Sequence, residues 1–357
     1  MNYTETAKIK FEGLMGKKDV VVLAIESSCD ETAAAVVRNG REILSDVIAS
    51  QIEIHRRFGG VVPEIASRKH TAAIDETVKE AVLRSGLTWD EIDAVAVTYG
   101  AGLLGALLVG VSYAKALAYA KNKPLIAVSH IKGHISANYL ADKTLTPPYI
   151  CLLCSGGHTA VLKVTDYEEF EVLGCTQDDA VGEAFDKAAR VLGLSYPGGP
   201  EIQKLAEKGT ASVAFPKAYR KEDTLNFSYS GLKTAVINYV HNAKDRGERI
   251  NAADVAASFQ AAATDMLVEN AVKAALKEGL GTIVIAGGVG ANSELRRKMT
   301  EEGLKYGLKV EYPPLGLCTD NGAMIGSAAY FSIKSGKGLA GLDLDAKATV
   351  RLDMASF

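Results

Sequence analysis

Two stretches frame this chain: VVLAIESSCDETAAAVV at 21–37 and YICLLCSGGHTAVLKV at 149–164. In each, a run of β-branched and small apolar residues breaks at a tight polar turn and resumes as a second apolar run, the pattern of a β-hairpin. Their starts lie 128 residues apart, too far for a solenoid repeat, so the pattern predicts a duplicated domain. Pro147-Pro148 in ADKTLTPP cannot continue a helix and marks the joint, near residue 145.

After each hairpin the apolar period lengthens to that of a helix. Residues 63–86 carry Ile65, Ile74, Val78 and Val82 at helical spacing, Thr88-x-x-Glu91 makes a capping box, and DAVAVTYG (93–100) is a buried strand. LLGALLVGVSYAKALAYAKN then reads as a helix and PLIAVSH as a strand, with HIKGH opening the next helix. In the second half, 178–193 and 252–279 are long helices and GTIVIAGG (281–288) is a short strand. The expectation is an α/β chain with two similar lobes. Residues 1–20 are a flexible extension, 21–145 the first lobe, 146–335 the second lobe with a helical insertion, and 336–357 a tail.

Composition narrows function more than fold. With 357 residues, 48% hydrophobic and 23% charged, the chain fits a soluble globular enzyme. A net charge of −3 means that a nucleic acid must be met by a local basic patch. His55, Arg56, Arg57, Arg68 and Lys69, with Arg296, Arg297 and Lys298, are candidates, and a solvated charged face is the alternative. Five cysteines without paired spacing favour a reducing, cytoplasmic setting. Cys151-x-x-Cys154 has the spacing of half a zinc site, yet it lies in an apolar run with no second half and reads as buried strand cysteines. Neither a long apolar span nor a secretory leader is visible, so no membrane association is expected.

His130 and His134, four residues apart on one helix face, can share a metal ion. Ile131 stands where a zinc protease of the H-E-x-x-H type has its glutamate, which removes that reading. Asp320, in the turn of LCTDNGAMIGSAAY, can supply a third ligand, and two imidazoles with one carboxylate suit Fe(II) or Zn(II). The alternative is a solvated histidine pair on a helix weakened by Gly133, with Asp320 a helix cap. Two hairpin turns suit phosphate: SSCDET, where Asp30 and Glu31 would repel it unless a cation intervenes and a plain polar β-turn is the alternative, and Ser155-Gly156-Gly157; GGVGAN, where Asn292 or Ser293 can cap the helix from Glu294, suits an anion or a ribose. Neither the dinucleotide fingerprint nor the P-loop is present.

ESSCDET, HRRFGGVVPEIASRKH, HIKGH, SGGHT, DDAVGEAFDKAAR, YPGGP, FSYSGLKTA, GGVGAN and CTDNGAMIG occur in this order between residue 21 and about residue 335. Together they closely resemble the bacterial-type tRNA adenosine threonylcarbamoyltransferases. Ala101 stands where that family usually has proline. The resemblance implies two duplicated actin-like (ribonuclease H-like) lobes around a nucleotide cleft. It implies a metal-dependent acyltransferase that passes threonylcarbamoyl from threonylcarbamoyl-AMP to the exocyclic amine of adenosine 37, in tRNAs that read codons beginning with adenine. It also implies a divalent metal, Fe(II) or Zn(II), on His130 and His134 of the first lobe and Asp320 of the second. Substrate contacts are implied at Leu153, Cys154, Ser155, Gly156, Gly157, Asp186, Gly199 and Asn292. Asp30 or Glu31 is expected to orient the amine or take its proton. Expected partners are tRNA, a paralogous actin-like subunit and a small ATPase of the same pathway. The competing readings are an actin-like ATPase or sugar kinase, and a non-enzymatic scaffold.

Overall fold

The first residues form helix α1 (Tyr3–Gly16) rather than a flexible extension. Asn2 and Glu5 close a capping box at its start, and Ala7, Phe11 and Leu14 give it an apolar stripe to bury. The computed structural model describes residues 2–219 and 222–352.

The chain then lays down β1 (Val21–Glu26), β2 (Glu31–Arg38), β3 (Glu42–Ser50), α2 (Ile52–Arg56), α3 (Pro63–Ser85), β4 (Ala94–Gly100), α4 (Leu104–Ala120), β5 (Leu125–Ser129) and α5 (His130–Ala141). A second run follows with β6 (Tyr149–Cys154), β7 (Thr159–Asp166) and β8 (Glu169–Cys175). Four helices are inserted there, α6 (Val181–Val191), α7 (Gly198–Ala206), α8 (Ser230–Asp245) and α9 (Ala252–Glu278). Next come β9 (Thr282–Ala286), α10 (Ser293–Tyr306), β10 (Lys309–Glu311) and α11 (Leu315–Cys318), before α12 (Gly322–Lys334) and β11 (Leu339–Ala340) close the chain.

One sheet runs β11-β5-β4-β1-β2-β3 and the other β10-β9-β6-β7-β8. Strands β1 and β2 pair antiparallel while β1, β4 and β5 run parallel, and the same holds for β6 with β7 and for β6, β9 and β10. The order β3-β2-β1-β4-β5 thus recurs as β8-β7-β6-β9-β10, and the duplication read from the sequence is real. Each repeat is an actin-like α/β lobe. Strands β1, β4, β5 and β6 are buried along their whole length, as parallel strands covered on both faces must be.

The lobe limits differ from those read in the sequence. One unit holds the chain up to Thr146, the short segment Asp166–Glu169 and everything from Thr319 onward; the other holds Pro147–Thr165 and Phe170–Cys318. Residues 319–335 therefore belong to the first unit, because α12 lies flush on its sheet. A Cβ at Gly322 would stand 2.5 Å from the Ala35 nitrogen, and one at Gly326 2.7 Å from Val37 Cγ2, so only glycine permits this approach. Nor are residues 336–352 a loose tail: β11 pairs with β5, and Lys347 N donates to Tyr99 O at 2.8 Å. Residues 353–357 of that expected tail lie outside the described residues. Among the described residues no helix is long and apolar enough to cross a membrane.

Candidate metal centre

Strand β5 passes directly into α5, which places His130 at the first helical position and His134 one turn further on. The two imidazoles meet edge to face, with centroids 4.5 Å apart. Their Nε2 atoms stand 3.5 Å and 3.4 Å from the same Asp320 oxygen, Oδ1. One ligand atom from each of the three residues falls within 4.8 Å of the others. All three belong to the first unit, so the expectation that Asp320 comes from the second lobe is corrected. The solvated-pair alternative also fails, since His130 is 7% and His134 2% exposed. Asp320 does not cap α12 either; Asn321 does, accepting from Met324 N at 2.8 Å and donating to Thr319 O at 2.7 Å. That double bond fixes the turn on which Asp320 sits.

Gly133 explains how the two helices come close enough. A Cβ there would lie 2.7 Å from Ile325 Cδ1 and 3.3 Å from Met324 Cγ, both on α12. The residue that lowers helix propensity is the one that lets α5 and α12 cross at the site. The Ile325 methyl it would meet ends a side chain that can turn aside, and alanine restores about 1 kcal/mol of helix propensity, so Gly133→Ala is expected to leave stability within about 1 kcal/mol of the wild type and to weaken zinc binding by about threefold through the small shift of α12 that remains. Thermal melts and a zinc titration test both; unchanged affinity would show that the close crossing does not set the ligand geometry.

A second carboxylate, Glu26 at the end of β1, was not singled out by the sequence pattern. Its Oε2 lies 3.2 Å from His130 Nδ1 and accepts from Thr98 Oγ1 at 2.5 Å, while Oε1 accepts from Ser28 N at 2.5 Å. Ser28 Oγ is also 3.1 Å from His130 Nδ1. A proton on Nδ1 shared with this carboxylate leaves Nε2, once its own proton is lost, to a metal, the arrangement that orients a metal-binding histidine. Burial favours neutral Glu26, but neighbouring His130 outweighs it and holds the carboxyl below its ordinary value. Burial disfavours charge on His130 too, yet Asp320 and Glu26 together raise it to about 9. His134 differs: neither of its ring nitrogens has a hydrogen-bond partner among the described residues, although both are buried. A buried polar atom without a partner costs on the order of 1–3 kcal/mol. A metal ion at Nε2 would remove one such cost, so the donor set fits a divalent cation.

Asp30 and Glu31 lie at the turn from β1 into β2, in the same unit. His70 braces this turn, one ring nitrogen 2.9 Å from Cys29 O and the other 2.8 Å from Thr32 Oγ1. Burial first, then the charges of Asp30 and Asp320, push Glu31 up to about 9. The family's proline position, Ala101, follows a cis peptide bond.

In the second unit, Leu153 and Cys154 end β6, buried, and the turn after them opens to solvent at Gly156 and Gly157. Ser155 N donates to His158 O at 2.8 Å and Ser155 Oγ accepts from His158 N at 3.1 Å, so the turn is rigid. Gly287, at φ 92°, lies against this turn; a Cβ there would stand 2.5 Å from Cys154 O. Asp186 Oδ1 accepts from Gly198 N at 2.7 Å, tying α6 to the start of α7, where Gly199 faces open space. Asn292 caps α10 through Leu295 N at 3.0 Å and donates to Gln260 at 2.9 Å. The two strand cysteines are fully buried, and burial pushes the Cys151 thiol up to about 12, which suits packing rather than a metal thiolate. The basic residues do not form a bare patch. His55 is buried, Arg56 pairs with Glu53, Arg68 with Glu64, Arg297 with Glu294 and Glu301, and Lys298 with Asp265. Arg296 donates to Gly290 O and Pro313 O, while Arg57 and Lys69 are exposed, as are the paired Arg56, Arg68 and Arg297.

The family model for tRNA N6-adenosine threonylcarbamoyltransferase (TsaD) matches residues 42–327. The tRNA N6-adenosine threonylcarbamoyltransferase of Clostridium perfringens (strain 13 / Type A) is 58% identical over 339 residues, covering 95% of this chain and 99% of that one. The chain belongs to this family. The enzyme of the same name from Clostridium novyi (strain NT) is 57% identical over 337 residues, covering 94% and 98% of the two chains. Among solved structures, full-length HypF in the phosphate- and nucleotide-bound form aligns with TM-score 0.59 at 14% identity, covering 88% of this chain and 46% of that one. Component A of the Acidaminococcus fermentans (R)-2-hydroxyglutaryl-CoA dehydratase aligns with TM-score 0.51, also at 14% identity, covering 89% and 99%. These two likenesses speak to the fold alone.

Proposed function

We propose that this TsaD-family chain is a metal-dependent tRNA threonylcarbamoyltransferase, with threonylcarbamoyl-AMP as donor and the exocyclic amine of adenosine 37 as acceptor, in tRNAs reading codons that begin with adenine. The observation that carries the reading is the cluster of buried His130 and His134 with half-buried Asp320, where the His134 ring nitrogens have no hydrogen-bond partner among the described residues and Nε2 calls for a cation, in a chain 58% identical to a named transferase.

In the transfer, the bond from the carbamoyl carbon to the phosphate oxygen breaks, a bond from that carbon to the adenine nitrogen forms, the amine loses a proton and AMP departs. The leaving group is already good, so orientation and charge stabilisation matter more than a covalent nucleophile. His130, His134 and Asp320 would hold Fe(II) or Zn(II), which would supply Lewis acidity toward the donor. Backbone N–H groups of Gly156 and Gly157, on the turn that Leu153, Cys154 and Ser155 lead into, serve the phosphate, with Asp186, Gly199 and Asn292 shaping the nucleoside contacts. Asp30 or Glu31, the latter pushed up by burial and by the charge of Asp30, orients the amine or takes its proton. A paralogous actin-like subunit and a small ATPase are the proposed helpers, and the cytoplasm the setting. A sugar kinase would share the fold but has no use for this triad.

The test combines purified protein, threonylcarbamoyl-AMP and unmodified tRNA, with and without the two helpers, and reads the nucleosides by mass. Threonylcarbamoyladenosine at position 37 is expected. Its absence in every combination, or an undiminished yield from a scrupulously metal-free preparation, would overturn the proposal in its first or second part respectively.

A further inference from the structure

The turn between β7 and β8, Asp166–Glu169, packs with the first unit although the strands on either side belong to the second. Two side chains of this turn each reach both helices at the candidate centre. Glu168 Oε2 is 2.7 Å from Lys132 Nζ on α5, and Glu168 Oε1 accepts from Ser332 Oγ on α12 at 2.8 Å. Tyr167 stacks on Phe331 of α12, centroids 4.2 Å apart and planes within 2°, and meets Tyr139 of α5 edge-on at 5.1 Å. Arg41 closes the group, donating to Tyr167 Oη at 3.1 Å and to Leu145 O at 2.9 Å.

Lys132 stands between the two histidines on α5, and α12 begins two residues after Asp320. The Lys132–Glu168 pair is nearly sealed from water, with side chains 8% and 4% exposed. Such a pair gives little net stability over an apolar one of the same volume, but it accepts one geometry only. We infer that Lys132 and Glu168 are positioning residues for the metal centre: a carboxylate from the inserted turn sets α5 against α12, and thereby the imidazoles against Asp320. The inference rests on the metal reading above.

The experiment measures zinc affinity by chelator competition, the visible spectrum of bound cobalt(II), and the melting temperature without metal. It uses wild type, His134→Ala, Lys132→Met, Ser332→Ala and the double variant Lys132→Met with Glu168→Leu. The double variant replaces the ion pair by an apolar one, so its melting temperature is expected to return to the wild-type range. Its zinc affinity is expected to stay about tenfold weaker, with an altered cobalt spectrum. Ser332→Ala, which keeps the pair and loses one hydrogen bond, is expected to cost about fivefold in zinc affinity. Wild-type affinity and spectrum in the double variant would overturn the inference; so would wild-type affinity in Ser332→Ala if the Lys132 variants do not fold. Equal zinc binding by wild type and His134→Ala would instead overturn the metal reading itself.

Discussion

His134→Ala is expected to abolish threonylcarbamoyl transfer while leaving the metal-free protein almost as stable as before. Removing a buried aromatic ring ordinarily costs roughly 3–5 kcal/mol. Here the ring is 2% exposed and carries two nitrogens without partners among the described residues. Each of those penalises the metal-free fold by about 1–3 kcal/mol, so their removal offsets much of the lost packing. With metal the balance reverses. If zinc binding to such a site is worth roughly 12 kcal/mol, one ligand of three accounts for about 4 kcal/mol, close to a thousandfold in affinity. The variant should therefore need about a thousandfold more zinc than the wild type for the same rise in melting temperature. A variant that melts far below the metal-free wild type, or that responds to zinc at the same concentration as the wild type, would contradict the idea that His134 Nε2 is reserved for an ion.

Much of this was legible in the sequence because it depends on local spacing. The two hairpins announce the duplication through their alternation, and His130 with His134 announce a shared face through a four-residue step. The pairing of Arg68 with Glu64, or of Arg297 with Glu301, is likewise a helical i,i+4 relation. What escaped depends on which surfaces meet. The small residues of α12 say that something approaches closely, but not that it is β2, so Asp320 was assigned to the wrong lobe. Gly133 looked like a weak point of its helix because its neighbour, Ile325, is remote in sequence. The Asp166–Glu169 turn has no apolar run or motif to show that it leaves its own lobe. Helix α1 differs, since the Asn2 and Glu5 that close its capping box are a local signal already visible in the sequence.

Glu26 belongs with the features that spacing hides: one acid ending an apolar strand reads as a boundary residue, yet it is 0% exposed and faces His130 Nδ1 at 3.2 Å. Glu26→Gln is expected to lower metal affinity and transfer by about 10–100-fold, the usual effect of losing the carboxylate behind a metal-binding imidazole. A pH signature separates this from simple damage. In the metal-free protein the folded His130 titrates at about 9, above its ordinary 6.5, because Asp320 and Glu26 together outweigh burial. Its stabilising contribution is thus fully present below about pH 6.5 and disappears as pH rises through 9. A metal ion must displace that proton, so zinc affinity should climb with pH up to about 9 and then level off. In Glu26→Gln one of the two carboxylates is gone and the folded value falls. The levelling should shift to lower pH, and proton release on zinc binding at pH 8, measured calorimetrically in two buffers of different ionisation enthalpy, should shrink. If that release were unchanged in the variant, Glu26 would have no hold on the His130 proton, and its place behind the imidazole would be one of packing alone.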